Sequence, residues 1–102
     1  IYHNNKYITA YVGYVNYLIE KNDYKEAQRK LRKALKSDEN NVDLLNLMFY
    51  VSYILVKDNV SDYNLKEAIS ISEKIADINP ELFKYWDEKQ EITELLLKRE
   101  EN

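Results

Sequence analysis

The chain contains no cysteine and only one glycine, one proline and one histidine. Without cysteine it can form neither a disulfide framework nor a thiolate site. Gly13 alone cannot supply a glycine-rich phosphate-binding loop. His3 has no cysteine or second histidine with which to form a nucleophile–base pair. We therefore predict that the domain is not an enzyme and uses no cofactor and no metal.

Long apolar runs are also missing. The most apolar stretch extends from Leu47 to Val56 and is interrupted by Ser52, whereas a membrane-spanning helix needs roughly 20 apolar residues. The net charge of −3 is too small to favour nucleic acid by itself. Because the chain begins at Ile1 rather than methionine, we expect it to be a piece of a longer protein. The cytoplasm is the favoured compartment, and a membrane anchor upstream of Ile1 is left open.

Helix-forming sequence fills most of the chain. Apolar residues recur at helical spacing, as at Ala27 and Leu31, and strong helix formers are plentiful. The pattern predicts one all-α domain over residues 1–102, with helices at about 6–20, 24–37, 42–57, 65–78 and 81–99. Asn22 and Asp23 predict a tight turn, since asparagine tolerates a left-handed backbone and aspartate can cap the next helix. The third helix is apolar almost all round, which predicts a buried central element.

A unit of sequence occurs twice along the chain. The tripeptide Lys-Glu-Ala at 25–27 returns at 66–68, and polar breaks follow both copies at the same distance. An internal period of about 20–50 residues is typical of helical repeat architectures. Short connections between the predicted helices favour antiparallel neighbours. We therefore expect stacked helical hairpins.

The residues from Asn22 to Asn41 resemble the second half of a tetratricopeptide repeat. The family's apolar and small places are matched in the first copy by Tyr11, Tyr14, Leu18, Ala27, Leu31 and Ala34, and in the second by Leu45, Met48, Ala68, Ile75 and Pro80. Trp86 then holds the bulky place of a third, unpaired helix. The resemblance implies two repeats and a closing helix in a short solenoid. A different helical-hairpin repeat is the alternative.

Some residues depart from the family pattern. Phe49 stands where a small residue is usual, Ser52 where an aromatic is usual, and Ser72 where a large apolar residue is usual. The family's usual period is about 34 residues. The spacing between the two Lys-Glu-Ala copies is longer, and the extra residues fall at about 57–63. These departures affect the register of the third helix more than the architecture.

The family binds extended peptides in a concave groove. The family register directs eleven residues into such a groove here: Thr9, Val12, Asn16, Glu20, Asp43, Asn46, Tyr50, Tyr53, Lys84, Asp87 and Glu91. Some members clamp a terminal carboxylate, but Asn16 and Lys84 are the only matches to that clamp, since Val12, Leu47 and Glu88 hold the other places. The acidic edge formed by Asp87, Glu88, Glu91 and Glu94 suits a basic or neutral segment better, with a solvated helix face as the alternative.

The first helix has little polar surface. Its apolar residues form two stripes, one of Tyr7, Tyr11, Tyr14 and Leu18 and the other of Val12, Val15 and Ile19, and we expect one of the two to be core. A terminal repeat helix normally presents a polar outer face, so we expect this one to be covered by upstream chain, a second copy or a partner. The residues that suggest such a face are Tyr7, Tyr11, Val12, Tyr14, Tyr17 and Ile19.

The second helix carries a basic stripe of Lys25, Arg29, Arg32 and Lys36. Such a stripe could meet the phosphate backbone of a nucleic acid or an anionic membrane surface. No aromatic residue interleaves it, which argues against nucleic acid and leaves a solvated helix face as the simpler explanation.

The sequence therefore predicts a non-catalytic protein–protein interaction module that binds a peptide or helix. The alternative is an oligomerisation or regulatory domain of a larger enzyme or membrane-anchored protein, docking through the first helix. The partner is expected to be a protein or peptide, with a homo-oligomer through the first helix as a further option. Contact of this domain with a membrane is not expected.

Overall fold

The computed structural model describes residues 5–101, and that part of the chain is all-α. Its helices are α1 (Asn5–Glu20), α2 (Tyr24–Ser37), α3 (Val42–Asp58), α4 (Asp62–Ile78) and α5 (Trp86–Glu100), with a 3₁₀ turn at Pro80–Leu82 before α5. The prediction of an all-α chain with five helices is confirmed. None of the helices described has both the length and the apolar character required to cross a bilayer.

The turn between α1 and α2 follows from its two residues as predicted. Asn22 adopts a left-handed backbone with φ of 61°, and the Asp23 carboxylate accepts a hydrogen bond from the Glu26 amide at 3.4 Å. Asn41 caps α3 in the same way, accepting from the Leu44 amide at 3.1 Å. Such caps bind amides that have no partner inside the helix, so these helix starts are fixed locally.

The start of α4 differs from the prediction. The helix begins at Asp62 rather than Leu65, because Ser61 caps it by accepting from the Asn64 amide at 3.1 Å. Serine is among the preferred capping residues. The loop before α4 is therefore shorter than the gap between the helices predicted at about 42–57 and 65–78.

The start of α5 was also predicted wrongly. Pro80 opens only a 3₁₀ turn, the chain is extended at Phe83, and α5 begins at Trp86 instead of residue 81. Phe83 is buried against Phe49, with ring centroids 5.0 Å apart in an edge-to-face arrangement. Continuing a helix through this segment would give up that packing. A long-range contact therefore overrides a local sequence that is compatible with helix.

Consecutive helices pack most closely, α1 on α2, α2 on α3, α3 on α4 and α4 on α5. Two apolar clusters result. The first is formed by Val15, Leu18, Ala27, Leu31, Ala34, Leu44, Met48 and Val51. The second is formed by Leu45, Phe49, Val56, Leu65, Ala68, Ile75, Phe83 and Ile92. Because α3 contributes to both clusters, it is the central element, as its apolar composition predicted.

The core side of α1 combines the two stripes that the sequence suggested. Val15 and Leu18 are buried, Tyr11 is half-buried against them, and Tyr14 is exposed. At 100° per residue, positions 11, 15 and 18 share one helix face. The expectation that a single stripe forms the core was therefore wrong, and Tyr14 is left at the surface.

The two serines that depart from the family pattern are buried and hydrogen-bonded. Ser52 Oγ accepts from Gln28 Nε2 at 3.4 Å, and Ser72 Oγ donates to the Ile69 carbonyl within α4 at 2.6 Å. A buried hydroxyl is tolerated when it finds such a partner. Across the described residues, no fully buried side-chain nitrogen or oxygen lacks a hydrogen-bond partner.

Candidate functional site

Several of the predicted groove residues meet in one pocket between α1, α3 and the segment before α5. The pocket has a volume of about 220 Å³ and is lined by Val12, Asn16, Asp43, Asn46, Leu47, Lys84 and Tyr85. We call it the α1–α3 pocket. Its exposed polar groups are an amide, a carboxylate and an ammonium group, on Asn16, Asp43 and Lys84. Apolar surface from Val12 and Leu47 lies beside them, so the pocket has both charges and a hydrophobic lining.

Asn46 is an anchor of the pocket wall rather than an exposed ligand-binding group. Its side chain is 4% exposed. The amide nitrogen donates to the Leu82 carbonyl at 3.0 Å, and the amide oxygen accepts from the Lys84 backbone amide at 3.2 Å. These bonds tie the extended segment to α3 and thereby place Lys84. Asn46 therefore lines the pocket together with other predicted groove residues, but its amide is bound to the segment before α5.

Aromatic rings continue the wall of the pocket. Tyr50 lies 5.6 Å from Tyr85 between ring centroids, and Tyr85 stacks on Phe49 at 5.9 Å. Burial, followed by electrostatic interactions with Tyr50 and Glu88, raises the pKa of the Tyr85 hydroxyl. Tyr50 is half-buried, so part of its ring is covered by Tyr85 and part is open to solvent.

Tyr53 and Glu91, both predicted groove residues, belong to a polar network between α3 and α5. The Tyr53 hydroxyl donates to Glu91 Oε1 at 2.7 Å. Lys57 Nζ donates to the Tyr53 hydroxyl at 3.2 Å and lies 2.8 Å from Glu91 Oε2. The bonds from Lys57 and then Tyr53 lower the pKa of Glu91, and the bond to Glu91, followed by burial, raises the pKa of Tyr53. The network joins the two helices and partly neutralises the predicted acidic edge.

The remaining groove predictions lie at the surface. Thr9, Glu20 and Asp87 are exposed and are not part of the lining of the α1–α3 pocket. Leu47 and Tyr85, in contrast, line the pocket although they were not among the predicted groove residues. The aromatic run Phe-Lys-Tyr-Trp at 83–86 was the sequence signal that could have identified Tyr85. It was not used, because these residues were assigned to a helix beginning at residue 81.

The first-helix face divides into exposed and half-buried members. Tyr7, Tyr14 and Tyr17 are exposed, whereas Tyr11, Val12 and Ile19 are half-buried and pack on the first cluster. The rings of Tyr14 and Tyr17 stack with centroids 6.5 Å apart. Lys30 Nζ lies 5.9 Å from the Tyr14 centroid and Lys21 Nζ lies 5.6 Å from the Tyr17 centroid, distances typical of cation–π contacts.

The basic stripe of α2 is partly neutralised within the chain. Arg29 makes a bidentate pair with Glu26, at 2.9 and 2.7 Å, and this pair lowers the pKa of Glu26 and raises the pKa of Arg29. Arg32 pairs with Glu67 on α4 through one nitrogen, since Nη2 donates to both carboxylate oxygens, at 2.9 and 2.7 Å. Lys25 is exposed, as is Lys36. Two of the four cations are thus bound to carboxylates, which weakens the stripe as a site for anions.

A further groove between α2 and α4 was not foreseen. It has a volume of about 500 Å³, with an apolar floor that includes Leu35, Leu45, Met48 and Ile71. The Arg32–Glu67 pair lies on its rim. Helical spacing predicts a core role for each of these apolar residues, and nothing in that spacing indicates a gap between α2 and α4.

No group of three or more histidine, cysteine, aspartate or glutamate side chains within residues 5–101 is arranged to hold a metal ion. His3 lies outside the described residues. Comparison with protein-family models, with curated proteins and with solved structures found no match.

Proposed function

We propose that this domain is a non-catalytic protein–protein interaction module of tetratricopeptide type. The close packing of consecutive helices is what a helical repeat requires, since each unit contacts its neighbours. Ala27 and Ala68, the matched residues of the two copies, are both fully buried. A small residue at such a place lets two helices approach closely. The spacing from Tyr11 to Leu45 in the sequence also equals the family's usual repeat length.

The convergence of predicted groove residues in the α1–α3 pocket carries the proposal. Its volume of about 220 Å³ is below the roughly 300–1,000 Å³ of typical small-molecule sites. A space of this size suits one or two side chains of a bound peptide. Asn16 offers both a donor and an acceptor to a peptide backbone. Asp43 can bind a cationic group, and Val12 and Leu47 can contact an apolar one, which favours a basic or neutral peptide.

A displayed library of random peptides, selected on the whole chain, tests this function. We expect the enriched peptides to be basic or neutral. The dissociation constants should rise about tenfold in Asp43→Asn, which loses a bond to a cationic group, and in Lys84→Ala, which loses a charged donor to a peptide carbonyl, since loss of one hydrogen bond to a charged group has about that effect. Lys66→Ala, which removes an exposed lysine on α4, is the matched control and should bind as the unchanged protein does. Equal affinity of the peptides for the unchanged protein and for all three variants would contradict the proposal.

The exposed tyrosines of α1 favour a second candidate function, docking of this domain within a larger assembly. Tyr14 and Tyr17 are 45% and 51% exposed. Tyrosine is enriched at protein interfaces, where part of its ring becomes covered by the partner. If α1 is a docking face, Tyr14→Glu should alter assembly without changing the binding of the selected peptides to the α1–α3 pocket. Sedimentation of the two proteins, alone and with the selected peptides, separates the two functions.

A further inference from the structure

The two copies of the repeat differ in how their first helices are covered. Tyr14 on α1 corresponds to Met48 on α3, and Tyr17 corresponds to Val51, each pair at the same sequence spacing as Tyr11 and Leu45. Met48 and Val51 are 3% and 0% exposed, in contrast to the two tyrosines. Ala10, which corresponds to the buried Leu44, is also exposed.

The helix that precedes α3 accounts for this difference in exposure between α1 and α3. Leu44, Met48 and Val51 belong to the same apolar cluster as Ala27 and Leu31 of α2, and α2 packs directly on α3. The side of α1 that faces its own partner α2 is buried, with Val15 fully enclosed. What the described part of α1 lacks is a helix in the position that α2 takes on α3.

The exposed side of α1 has the shape of a helix-docking stripe. Ala10, Gly13, Tyr14 and Tyr17 are spaced i, i+3, i+4 and i+7, which places them on one face. A Cβ atom added at Gly13 would meet nothing within 4 Å. Two small residues between tyrosines would let a second helix come close, with the rings on either side of it. A cavity of about 240 Å³ lies alongside, lined in part by Ala10 and Tyr14.

The charges around the stripe indicate the kind of helix that would fit. Lys21 and Lys30 lie over the tyrosine rings, and neither makes a salt bridge with any described residue. Lys33 is also close enough to influence Tyr7 electrostatically. Lys21, Lys30 and Lys33 outnumber Glu20, the exposed carboxylate at the end of α1, so two copies of this face would bring lysines together, and like charges across an interface are unfavourable. A helix with acidic flanks would instead pair with them.

We infer that the stripe of Ala10, Gly13, Tyr14 and Tyr17 is a docking site for an acidic amphipathic helix from a partner. The helix takes the position on α1 that α2 takes on α3, with small and branched apolar residues against the stripe. Its acidic residues pair with Lys21 and Lys30. This inference rests on the second candidate function, docking through α1, and adds the chemical class of the partner.

Two stapled helical peptides test the inference. One copies residues 24–37, and the other keeps the apolar residues of that segment but carries glutamate at its six lysine and arginine positions. Fluorescence anisotropy against the whole chain at low salt should show that the acidic peptide binds at least about tenfold more tightly than the basic one. If the acidic peptide fails to bind at its highest soluble concentration, the inference is wrong.

Gly13→Leu is the decisive variant, because it blocks the stripe without harming the free domain. Leucine is a better helix former than glycine, and the site is open, so the thermal midpoint should not fall. The dissociation constant of the acidic peptide should rise about tenfold or more through steric overlap. Ser70→Leu, a similar enlargement at an exposed position on α4, should leave binding unchanged. Equal binding by Gly13→Leu and the unchanged protein would place the peptide elsewhere and overturn the inference.

Other outcomes distinguish failure of this inference from failure of the second candidate function, docking through α1. If Gly13→Leu blocks both peptides equally, α1 docks helices but the preference for acidic partners is wrong. If the domain self-associates and Gly13→Leu abolishes this, the occupant is a second copy, and the inference is overturned while docking through α1 stands. If neither peptide binds and Tyr14→Glu leaves the sedimentation of the chain unchanged, docking through α1 fails as well.

Discussion

Replacing Asn46 with alanine should destabilise the domain. The side chain is 4% exposed and satisfies two backbone groups, the Leu82 carbonyl and the Lys84 amide. Leaving a buried polar group without its partner costs about 1–3 kcal/mol. Leu82 and Lys84 are themselves exposed, so water can reach part of the segment, and the low end of that range applies to each group. With two such groups, we expect the free energy of unfolding to fall by about 2 kcal/mol.

Thermal and urea unfolding followed by far-UV circular dichroism measures this loss. A change of about 2 kcal/mol corresponds to a midpoint lower by roughly 10 °C in a domain of this size. Asn46→Asp keeps the acceptor for the Lys84 amide but loses the donor to Leu82, so its midpoint should lie below that of the unchanged protein. Asn16→Ala, an exposed amide in the same pocket, is the control and should change stability by less than about 0.5 kcal/mol. If Asn46→Ala unfolds at the unchanged midpoint, the anchoring role is wrong.

Three further predictions concern single positions. Gly13→Ala should raise the free energy of unfolding by about 0.4–1 kcal/mol in urea titrations, because alanine favours helix and its Cβ has open space. Ala27→Arg should abolish the cooperative thermal transition, since a fully buried alanine leaves no room for a charged side chain; a folded variant would refute the hairpin register. Lys57→Met should raise the pKa of Glu91 towards its ordinary value in an NMR titration, because Lys57 lowers it in the folded chain; an unchanged pKa would show that the ion pair does not form in solution.

The effect of acid on the stability of the domain follows from the lowered pKa values of three carboxyl groups. Glu26, Asp62 and Glu91 all have a pKa lowered by a neighbouring arginine or lysine. A lowered folded-state pKa contributes stability above the ordinary carboxylate value, and this contribution disappears as the pH falls through the folded-state value. All three pairs are at the surface, where ion pairs contribute little. Acid should therefore weaken the domain gradually below the ordinary carboxylate range.

Local signals were sufficient for the elements whose ends are capped nearby. The boundaries of α2 and the turn at Asn22 and Asp23 depend on residues within one helical turn of each other, so the sequence displays them directly. The apolar composition of α3 likewise predicted its central position. The all-α architecture could be predicted because helical periodicity repeats along the whole chain.

Contacts between distant residues account for most of the errors. Proline is common at the start of a helix, so Pro80 gave no sign that the chain would extend at Phe83 to reach Phe49. The burial of Asn46 depends on that same extended segment. The link from Glu91 to Tyr53 joins two positions far apart in the sequence, and no local pattern encodes it. The α1–α3 pocket could be predicted in part, because the register expected from the family resemblance places residues of α1 and α3 on a common face even when the segment between α4 and α5 is misjudged.

Chemical-shift mapping by NMR tests the proposed function most directly. The isotope-labelled chain would be titrated with a peptide selected from the library, and amide shifts followed for every assignable residue. We expect the largest changes around Asn16, Asp43, Leu47 and Lys84, which line the α1–α3 pocket, with little change along α4. Changes concentrated in the groove between α2 and α4, at Leu35 and Ile71, would contradict the proposed function.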